Sequence, residues 1–341
     1  MRIALVTGGG DSSAVNAAIR AVVHKCYAEH YEVIGVKRGW RGLIFDEVEP
    51  LFLGSVAGIL QHGGTILGTS RTNPFKEEHG VENLVVNLRK HGIDAIIAVG
   101  GEDTNGVAHR LAELGLKCVG VPQTIDNDLP GTDYSIGFDT AASVAMDAID
   151  KLHTTAAAHH RVMVLEVMGR DAGWIALIAG IAGGADTILG PEVPFSIEEI
   201  EERIEQRRTM NKLYSIIIVS EGAKPTGTDV QFIRDQKKDP FGHVRLGGIG
   251  EWLALKLEES TGYETRVTHL GHLQRGGTPT VFDRVLATRL GAYAVDMVKE
   301  GNFDCMVCLH DNRLVAVPYS EALDGTKTID LALFELAKQF Y

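Results

Sequence analysis

The sequence predicts an α/β fold of two doubly wound parallel-sheet domains, and three observations carry that expectation. Apolar runs of strand length alternate with helical periodicity from the second residue onward. The strand runs are continuously apolar, as in Ile3 to Val6 and Ala95 to Val99, which marks strands covered on both faces. The alternation then restarts at Val162, as a second sheet of the same kind requires.

Arg2 to Thr7 reads as a buried strand, and Ser13 to Glu29 as a helix with Ala18, Ile19, Val22 and Val23 on its apolar side. Glu32 to Val36 (strand), Val81 to His91 (helix), Asp94 to Val99 (strand), Thr104 to Leu114 (helix) and Cys118 to Val121 (strand) continue the alternation. A helix over Thr140 to His153 precedes the restart. Then follow a strand over Val162 to Val167, a helix from Ala172, a strand over Thr187 to Leu189, a helix from Ile197 and a strand over Tyr214 to Ser220. Lys224 to Gly248 is polar and breaks the rhythm as a surface excursion. Helical pattern resumes over Ile249 to Glu259 and Asp283 to Lys299. Met306 to Leu309 and Leu314 to Val317 read as strands, and Leu331 to Gln339 as a last helix. The expected chain exchange puts residues 1–138 and 250–302 in a larger domain, and 139–249 and 303–341 in a smaller one.

Composition excludes several classes. The 341 residues carry 33 basic and 45 acidic side chains, a net charge of −12, which disfavours a nucleic-acid or anionic-membrane surface. The longest apolar stretch, Ala172 to Ala185, is shorter than the ~20 residues that span a bilayer and is diluted by glycine. Met1-Arg2 leads straight into a strand without a signal-peptide pattern, and four cysteines are too few for a disulfide scaffold. These features point to a cytosolic globular protein.

Glycine is enriched, at 39 residues, and clusters at strand ends in Gly8-Gly9-Gly10 and Gly100-Gly101, with a further pair at Gly276-Gly277. Ligands in doubly wound sheets sit beyond the carboxyl ends of strands, where uncovered N–H groups bind phosphate. Thr7 to Asp11 opens a helix without the dinucleotide-binding glycine spacing and without the Gly-Lys-Ser/Thr ending of a P-loop. It reads equally as a tight turn or a phosphate cradle. In Gly100-Gly101-Glu102-Asp103-Thr104 two carboxylates meet two glycines, either as helix-dipole partners or as a Mg²⁺ site beside substrate phosphates. Pro122-Gln123-Thr124-Ile125-Asp126-Asn127-Asp128 places two carboxylates two residues apart after a buried strand. A general base beside a metal-bound polyphosphate accounts for it better than turn chemistry does. Arg161, Arg170, Arg266 and Arg275 lie near strand ends or glycines, as phosphate ligands do. Cys305-x-x-Cys308 lies in a strand with no second pair for zinc, and His159 and His160 lie in the turn before Val162; neither reads as functional.

Four of these segments together resemble the phosphofructokinases of the bacterial type, along nearly the whole chain: Gly100 to Asp103, Pro122 to Asp128, Glu166 to Arg170 and His272 to Gly277. The resemblance implies that the active site lies in the cleft between the two domains. It implies that Asp126 takes the proton from the sugar 1-hydroxyl. It further implies that Thr124, Asp128, Arg161, Met168, Gly169, Arg170, Glu221, Arg266, His272 and Arg275 bind fructose 6-phosphate, with Arg161 and Arg266 reaching across a subunit interface of a homodimer or homotetramer. Gly9, Gly10, Arg71 and Thr104 are the implied ligands of the phosphoryl donor, and Glu102 stands at the magnesium carboxylate.

Two departures from the family pattern stand out. The first loop runs Gly10-Asp11-Ser12-Ser13-Ala14-Val15-Asn16 where the family usually has G-D-x-P-G-x-N. At the donor positions, Asp103 matches pyrophosphate-using members, whereas Gln123 stands where those members typically have lysine. Pyrophosphate is the expected donor. The alternatives are ATP, or a catalytically weakened sugar-phosphate-binding homologue.

Overall fold

The computed structural model describes residues 1–227, 232–235 and 245–340. Its elements run β1 (Arg2–Thr7), α1 (Val15–Ala28), β2 (Glu32–Val36), α2 (Trp40–Ile44), β3 (Val48–Leu51), α3 (Gly80–Lys90), β4 (Ala95–Gly100), α4 (Glu102–Glu113), β5 (Cys118–Pro122) and α5 (Phe138–His159). Next come β6 (Val162–Val167), α6 (Trp174–Gly183), β7 (Thr187–Leu189), α7 (Ile197–Thr209), β8 (Ser215–Ser220), β9 (Ile233–Asp235) and β10 (Arg245–Leu246). The chain closes with α8 (Ile249–Thr261), β11 (Thr265–His269), α9 (Val281–Glu300), β12 (Cys305–His310), β13 (Arg313–Pro318), α10 (Tyr319–Ala322) and α11 (Leu331–Ala337). Much of the expected 224–248 excursion lies outside the described residues. No helix among the described residues is long and apolar enough to cross a membrane.

Two units divide these elements. Among the described residues the first holds Met1–Thr140 and Arg275–Thr326, and the second holds 141–274 and 327–340. The first contains a seven-stranded sheet of order β13-β12-β5-β4-β1-β2-β3, parallel from β12 through β2 and antiparallel at both edges. One face buries Ile3, Leu5, Ile97 and Val121 against α1 and α9; the other buries Ala4, Val6 and Ile96 against Trp40, Leu84 and Leu111. Covering on both faces is what the continuously apolar strands demanded. The second unit has a fully parallel sheet of order β11-β6-β8-β7, with Ile200, Ile204, Leu253 and Leu257 of α7 and α8 buried in its core.

The expected exchange points are displaced in the structure. Residues 249–274 belong to the second unit because β11 pairs in parallel with β6, Thr265 opposite Val162. Residues 303–326 belong to the first because β12 pairs in parallel with β5, Cys305 opposite Val119. β11 reads Thr-Arg-Val-Thr-His and is only partly buried, so it gives no apolar run for a sequence reading to find. The edge strand β3 contains Pro50 and gives no such run either.

β1 lies between β2 and β4, so the chain leaves β1 toward one neighbour and later returns to its other side. Loops after β1 and β4 therefore diverge, opening the crevice where doubly wound sheets hold ligands.

Candidate active site

In the first unit, loops gather beyond the carboxyl ends of β1, β4 and β5. Backbone bonds prolong the sheet into them: Gly8 N–H donates to the Val99 carbonyl at 3.0 Å, and Gln123 N–H to the Gly100 carbonyl at 2.9 Å. The glycines here make room. A Cβ on Gly8 would stand 2.7 Å from Thr104 Oγ1, and one on Gly100 would stand 2.5 Å from Thr104 Cβ. Thr104 is buried between the two loops, so its side chain supports their backbones from beneath rather than facing solvent. A Cβ on Gly10 would fall 2.2 Å from Arg275 Nη1, so the guanidinium lies directly over that backbone; it also donates to the Asp11 carbonyl at 3.1 Å. Arg71 is exposed, on a segment bonded to the same loop through Ser70 O to Gly9 N–H at 3.2 Å and Thr69 Oγ1 to Gly9 O at 2.6 Å.

The Ser12-Ser13 departure has a structural answer. Ser13 Oγ donates to the Gly276 carbonyl at 2.9 Å, Ser12 Oγ to that of Ile136 at 3.3 Å, and Asn16 Nδ2 to that of His62 at 3.1 Å. Side-chain bonds restrain this loop where a proline would otherwise fix its backbone. Gln123, also buried, joins them by donating Nε2 to the Gly10 carbonyl at 3.1 Å.

Glu102 and Asp103 open α4, where carboxylates complement the helix dipole. Glu102 is exposed and Asp103 half-buried. Hard carboxylate oxygens reaching solvent beside glycine backbones fit magnesium, which takes one or two carboxylates together with water and phosphate oxygens. Another grouping of metal-ligand type, Glu166, Glu251 and His269, fits less well. There His269 bridges two carboxylates, Nδ1 lying 3.2 Å from Glu166 Oε1 and Nε2 against Glu251, while Glu166 also accepts the Gly250 N–H of α8 at 2.7 Å.

After β5 burial alternates. Ile125, Asn127 and Leu129 are buried, and Thr124, Asp126 and Asp128 are half-buried. Asn127 holds the turn: its φ is 51°, its Oδ1 accepts Ser135 N–H at 2.9 Å, and its Nδ2 donates to the Asp133 carbonyl at 3.2 Å. Thr124 Oγ1 accepts Asp126 N–H at 3.2 Å, and Ser135 Oγ donates to the Thr124 carbonyl at 2.7 Å. The two carboxylates and the hydroxyl are thus half-buried along a braced turn, suited to taking a proton from a bound alcohol.

In the second unit, the loops after β6, β8 and β11 meet at the carboxyl edge of adjacent parallel strands. Met168 N–H donates to Gln274 Oε1 at 2.9 Å, and Glu221 N–H to the Val167 carbonyl at 2.8 Å. Gly169 has φ 119° and accepts from Ser220 Oγ. A Cβ on Gly222 would lie 1.7 Å from the Arg170 carbonyl, so only glycine permits this approach. Arg170 and Glu221, with Asp171, Lys224, Phe232 and Leu246, line a cavity of ≈ 100 Å³. His272 is exposed in the short helical turn Gly271–Arg275 after β11.

Arg161 and Arg266 do not join them. Arg161 immediately precedes β6 and Arg266 pairs opposite Met163, so both occupy the amino-terminal edge of that sheet. Each is ion-paired to Glu264, Arg161 at 2.7 Å, and the Arg161 guanidinium holds the Glu264 carboxyl below its usual range.

Two positioning roles were not assigned from the sequence, although one of the residues, Glu166, stands in a signature segment. Glu166 anchors the α8 N-terminus as above. Asp283 is fully buried and accepts Gly137 N–H at 2.9 Å and Thr140 N–H at 2.8 Å, closing the start of α5; burial raises its carboxyl pKa. Each is a lone acid within an ordinary helix or strand pattern. Cys305 and Cys308 are buried strand residues outside any disulfide; His159, expected in the turn before β6, instead ends α5, which runs on past the expected His153, and only His160 turns, with φ 56°.

The chain is 54% identical, over 100% of both lengths, to a pyrophosphate–fructose 6-phosphate 1-phosphotransferase of Amycolatopsis methanolica. It is 46% identical, over 99% of both, to ATP-dependent 6-phosphofructokinase 3 of Streptomyces coelicolor. A crystal structure of Pichia pastoris phosphofructokinase superposes with a TM-score of 0.84 at 33% identity, covering 94% of this chain and 35% of that longer one. Residues 2–298 match the family described as Phosphofructokinase, which takes in all four signature segments, and the chain belongs to that family.

Proposed function

We propose that this chain transfers a phosphoryl group from pyrophosphate to the 1-hydroxyl of fructose 6-phosphate, giving fructose 1,6-bisphosphate. The observation that carries the reaction is the braced turn after β5, along which Thr124, Asp126 and Asp128 are half-buried. Asp126 accepts the hydroxyl proton as the oxygen attacks phosphorus. Thr124 holds the Asp126 backbone, and Asp128 binds the sugar beside it. Gly9, Gly10 and Thr104 shape the donor loops, over which Arg71 and Arg275 bring positive charge; Arg170 adds charge at the acceptor phosphoryl. Glu102 would hold magnesium, which would supply charge neutralisation on the donor phosphates. Met168, Gly169, Glu221 and His272 orient the sugar, and alignment of this kind supplies much of the acceleration in phosphoryl transfer.

The donor assignment rests on Asp103. It follows two glycines in the first turn of α4, where the α-phosphate of ATP would bring like charge against it. At ~4 Å and an effective dielectric near 20, such a pair costs on the order of 4 kcal/mol. Pyrophosphate ends before that point. The 54% identical relative named for pyrophosphate supports this reading. ATP as donor is the second reading, favoured by Gln123, whose amide lacks the charge of lysine and is bonded to Gly10.

Arg161 and Arg266, on the far edge of their sheet, support a homodimer or homotetramer in which a neighbour supplies them to bind the sugar phosphate. The four buried cysteines, none of them in a disulfide, support a reducing compartment, the cytoplasm. The deciding assay measures turnover of fructose 6-phosphate with pyrophosphate and with ATP, each with and without Mg²⁺. Pyrophosphate-dependent, Mg²⁺-dependent product is expected; ATP turnover at or above the pyrophosphate rate overturns the donor assignment.

A further inference from the structure

The cavity bounded by Arg170 and Glu221 has walls to which no role has yet been given. Lys224, Phe232 and Leu246 line it as well, and its volume is ≈ 100 Å³. That is about three waters' share of liquid volume, at ~30 Å³ each. Such a space takes a few hydroxylated carbons and excludes a nucleoside.

The fold fixes each of these walls. Past β8 the chain turns back, Ala223 N–H donating to the Ser220 carbonyl at 2.9 Å. Ala223 and Pro225 are buried on either side of Lys224, whose own side chain is exposed. The Lys224 backbone is held to the segment before α7: Phe195 N–H donates to its carbonyl at 3.1 Å, and Thr226 N–H to the Phe195 carbonyl at 2.7 Å. Phe232 immediately precedes β9, and its carbonyl accepts Gly247 N–H, just past β10, at 3.0 Å. Its ring lies 5.3 Å from that of Trp252 in α8, which backs it.

Charge decides what the cavity accepts. Arg170 and Lys224 are opposed there by Asp171 and Glu221, and Arg170 Nε lies 3.4 Å from Asp171 Oδ2. A free phosphate gains little from a lining whose two carboxylates repel it. A polyol uses both signs, since carboxylates accept from hydroxyls and an ammonium donates to them. Phe232 and Leu246 add an apolar wall, which suits the C–H face of a sugar.

We propose that Lys224 and Phe232 are specificity-determining residues of the acceptor site, the cavity receiving hydroxyl-bearing carbons of the ketose. Glu221 accepts from the hydroxyls, Lys224 donates to them, and Phe232 packs on the C–H face. With Arg170 turned to the phosphoryl group, Lys224 is the cation left for the hydroxyls. This inference rests on the reading above that Arg170 and Glu221 face fructose 6-phosphate.

The test combines steady-state kinetics with donor-free calorimetric titration of fructose 6-phosphate, both on the full-length protein. Lys224→Met keeps the stem of an exposed side chain and removes its donors. It should raise the fructose 6-phosphate KM and dissociation constant about tenfold. Phe232→Ala should raise both about three- to tenfold, and Phe232→Leu should recover most of that loss. The pyrophosphate KM should move less than about twofold in all three, because the lost contacts are to the sugar. Discrimination is read against tagatose 6-phosphate, the C4 epimer. Loss of a hydroxyl partner in Lys224→Met should narrow the ratio of kcat/KM values for the two sugars by about fivefold or more.

Unchanged fructose 6-phosphate constants in Lys224→Met or Phe232→Ala remove that residue from the site, and an unchanged sugar ratio overturns the assignment to hydroxyls. Equal rises in the sugar and pyrophosphate KM mark a structural role and overturn the proposal. A wild type that neither binds nor turns over fructose 6-phosphate overturns the underlying reading, and this proposal with it. If it binds without turnover, the binding constants alone decide.

Discussion

The Gln123 side-chain amide donates to the Gly10 carbonyl at 3.1 Å, tying the residue after β5 to the loop after β1. In place of the lysine expected of a pyrophosphate user, this chain has a neutral strut between two loops. On the proposed function, donor choice then falls to Asp103. Asp103→Gly is expected to give partial ATP use, read as a rise of at least tenfold in kcat/KM for ATP. No change in ATP use would remove the charge argument at this position.

Asp126→Asn keeps the shape of the side chain and loses the proton acceptor. Turnover should fall by about 10² to 10⁴-fold with fructose 6-phosphate affinity nearly unchanged, since loss of a general base has that order of effect. Near wild-type kcat in this variant would disqualify Asp126 as the base.

Assembly is checked by sedimentation in parallel with activity. A dimer or tetramer is expected, and Arg161→Ala and Arg266→Ala should each raise the fructose 6-phosphate KM at least tenfold. A fully active monomer contradicts the shared site.

Burial pushes the thiols of Cys26 and Cys118 up to about 12 and that of Cys305 to about 11. Their folded pKa values exceed the ordinary thiol value, so the native state keeps protons that the unfolded chain releases at high pH. The stability this confers is full below pH ~9 and lost as pH rises through the folded values, by about 1 kcal/mol per thiol per pH unit. Urea unfolding at pH 7 and pH 10 measures it. A thiol reagent at pH 8 should leave these three cysteines unmodified until the protein unfolds.

Asp283→Ala leaves the Gly137 and Thr140 donors unpaired in the interior. A loss of about 2–4 kcal/mol is expected in chemical denaturation, the cost of buried donors without an acceptor.

The sequence revealed the sheets through their continuous apolar strands and the site loops through glycines and acids clustered after them. β1, β4, β5, β6 and β8 were legible because burial on both faces keeps at least four consecutive apolar residues in each run. β11 was not, because its partly buried Thr-Arg-Val-Thr-His pattern looks like a loop, and the domain exchange was misplaced with it. Glu166 and Asp283 were illegible as positioning groups for another reason. Their partners lie in backbone N–H groups, which nearly every residue possesses and no sequence pattern displays.

The opposed edges of the β11-β6-β8-β7 sheet carry one more implication. Arg170 and Arg161 are separated by the whole of β6, roughly 20 Å at ~3.3 Å per residue, with the strand locked between two parallel neighbours. No hinge or loop excursion within that sheet shortens the gap. If neighbours supply the missing arginines, substrate recognition inherits the mass-action law of self-association, and specific activity becomes a function of the enzyme's own concentration. A substitution that merely loosens the contact between copies would then masquerade at the bench as a weakened sugar-phosphate site, and adding more protein would cure it.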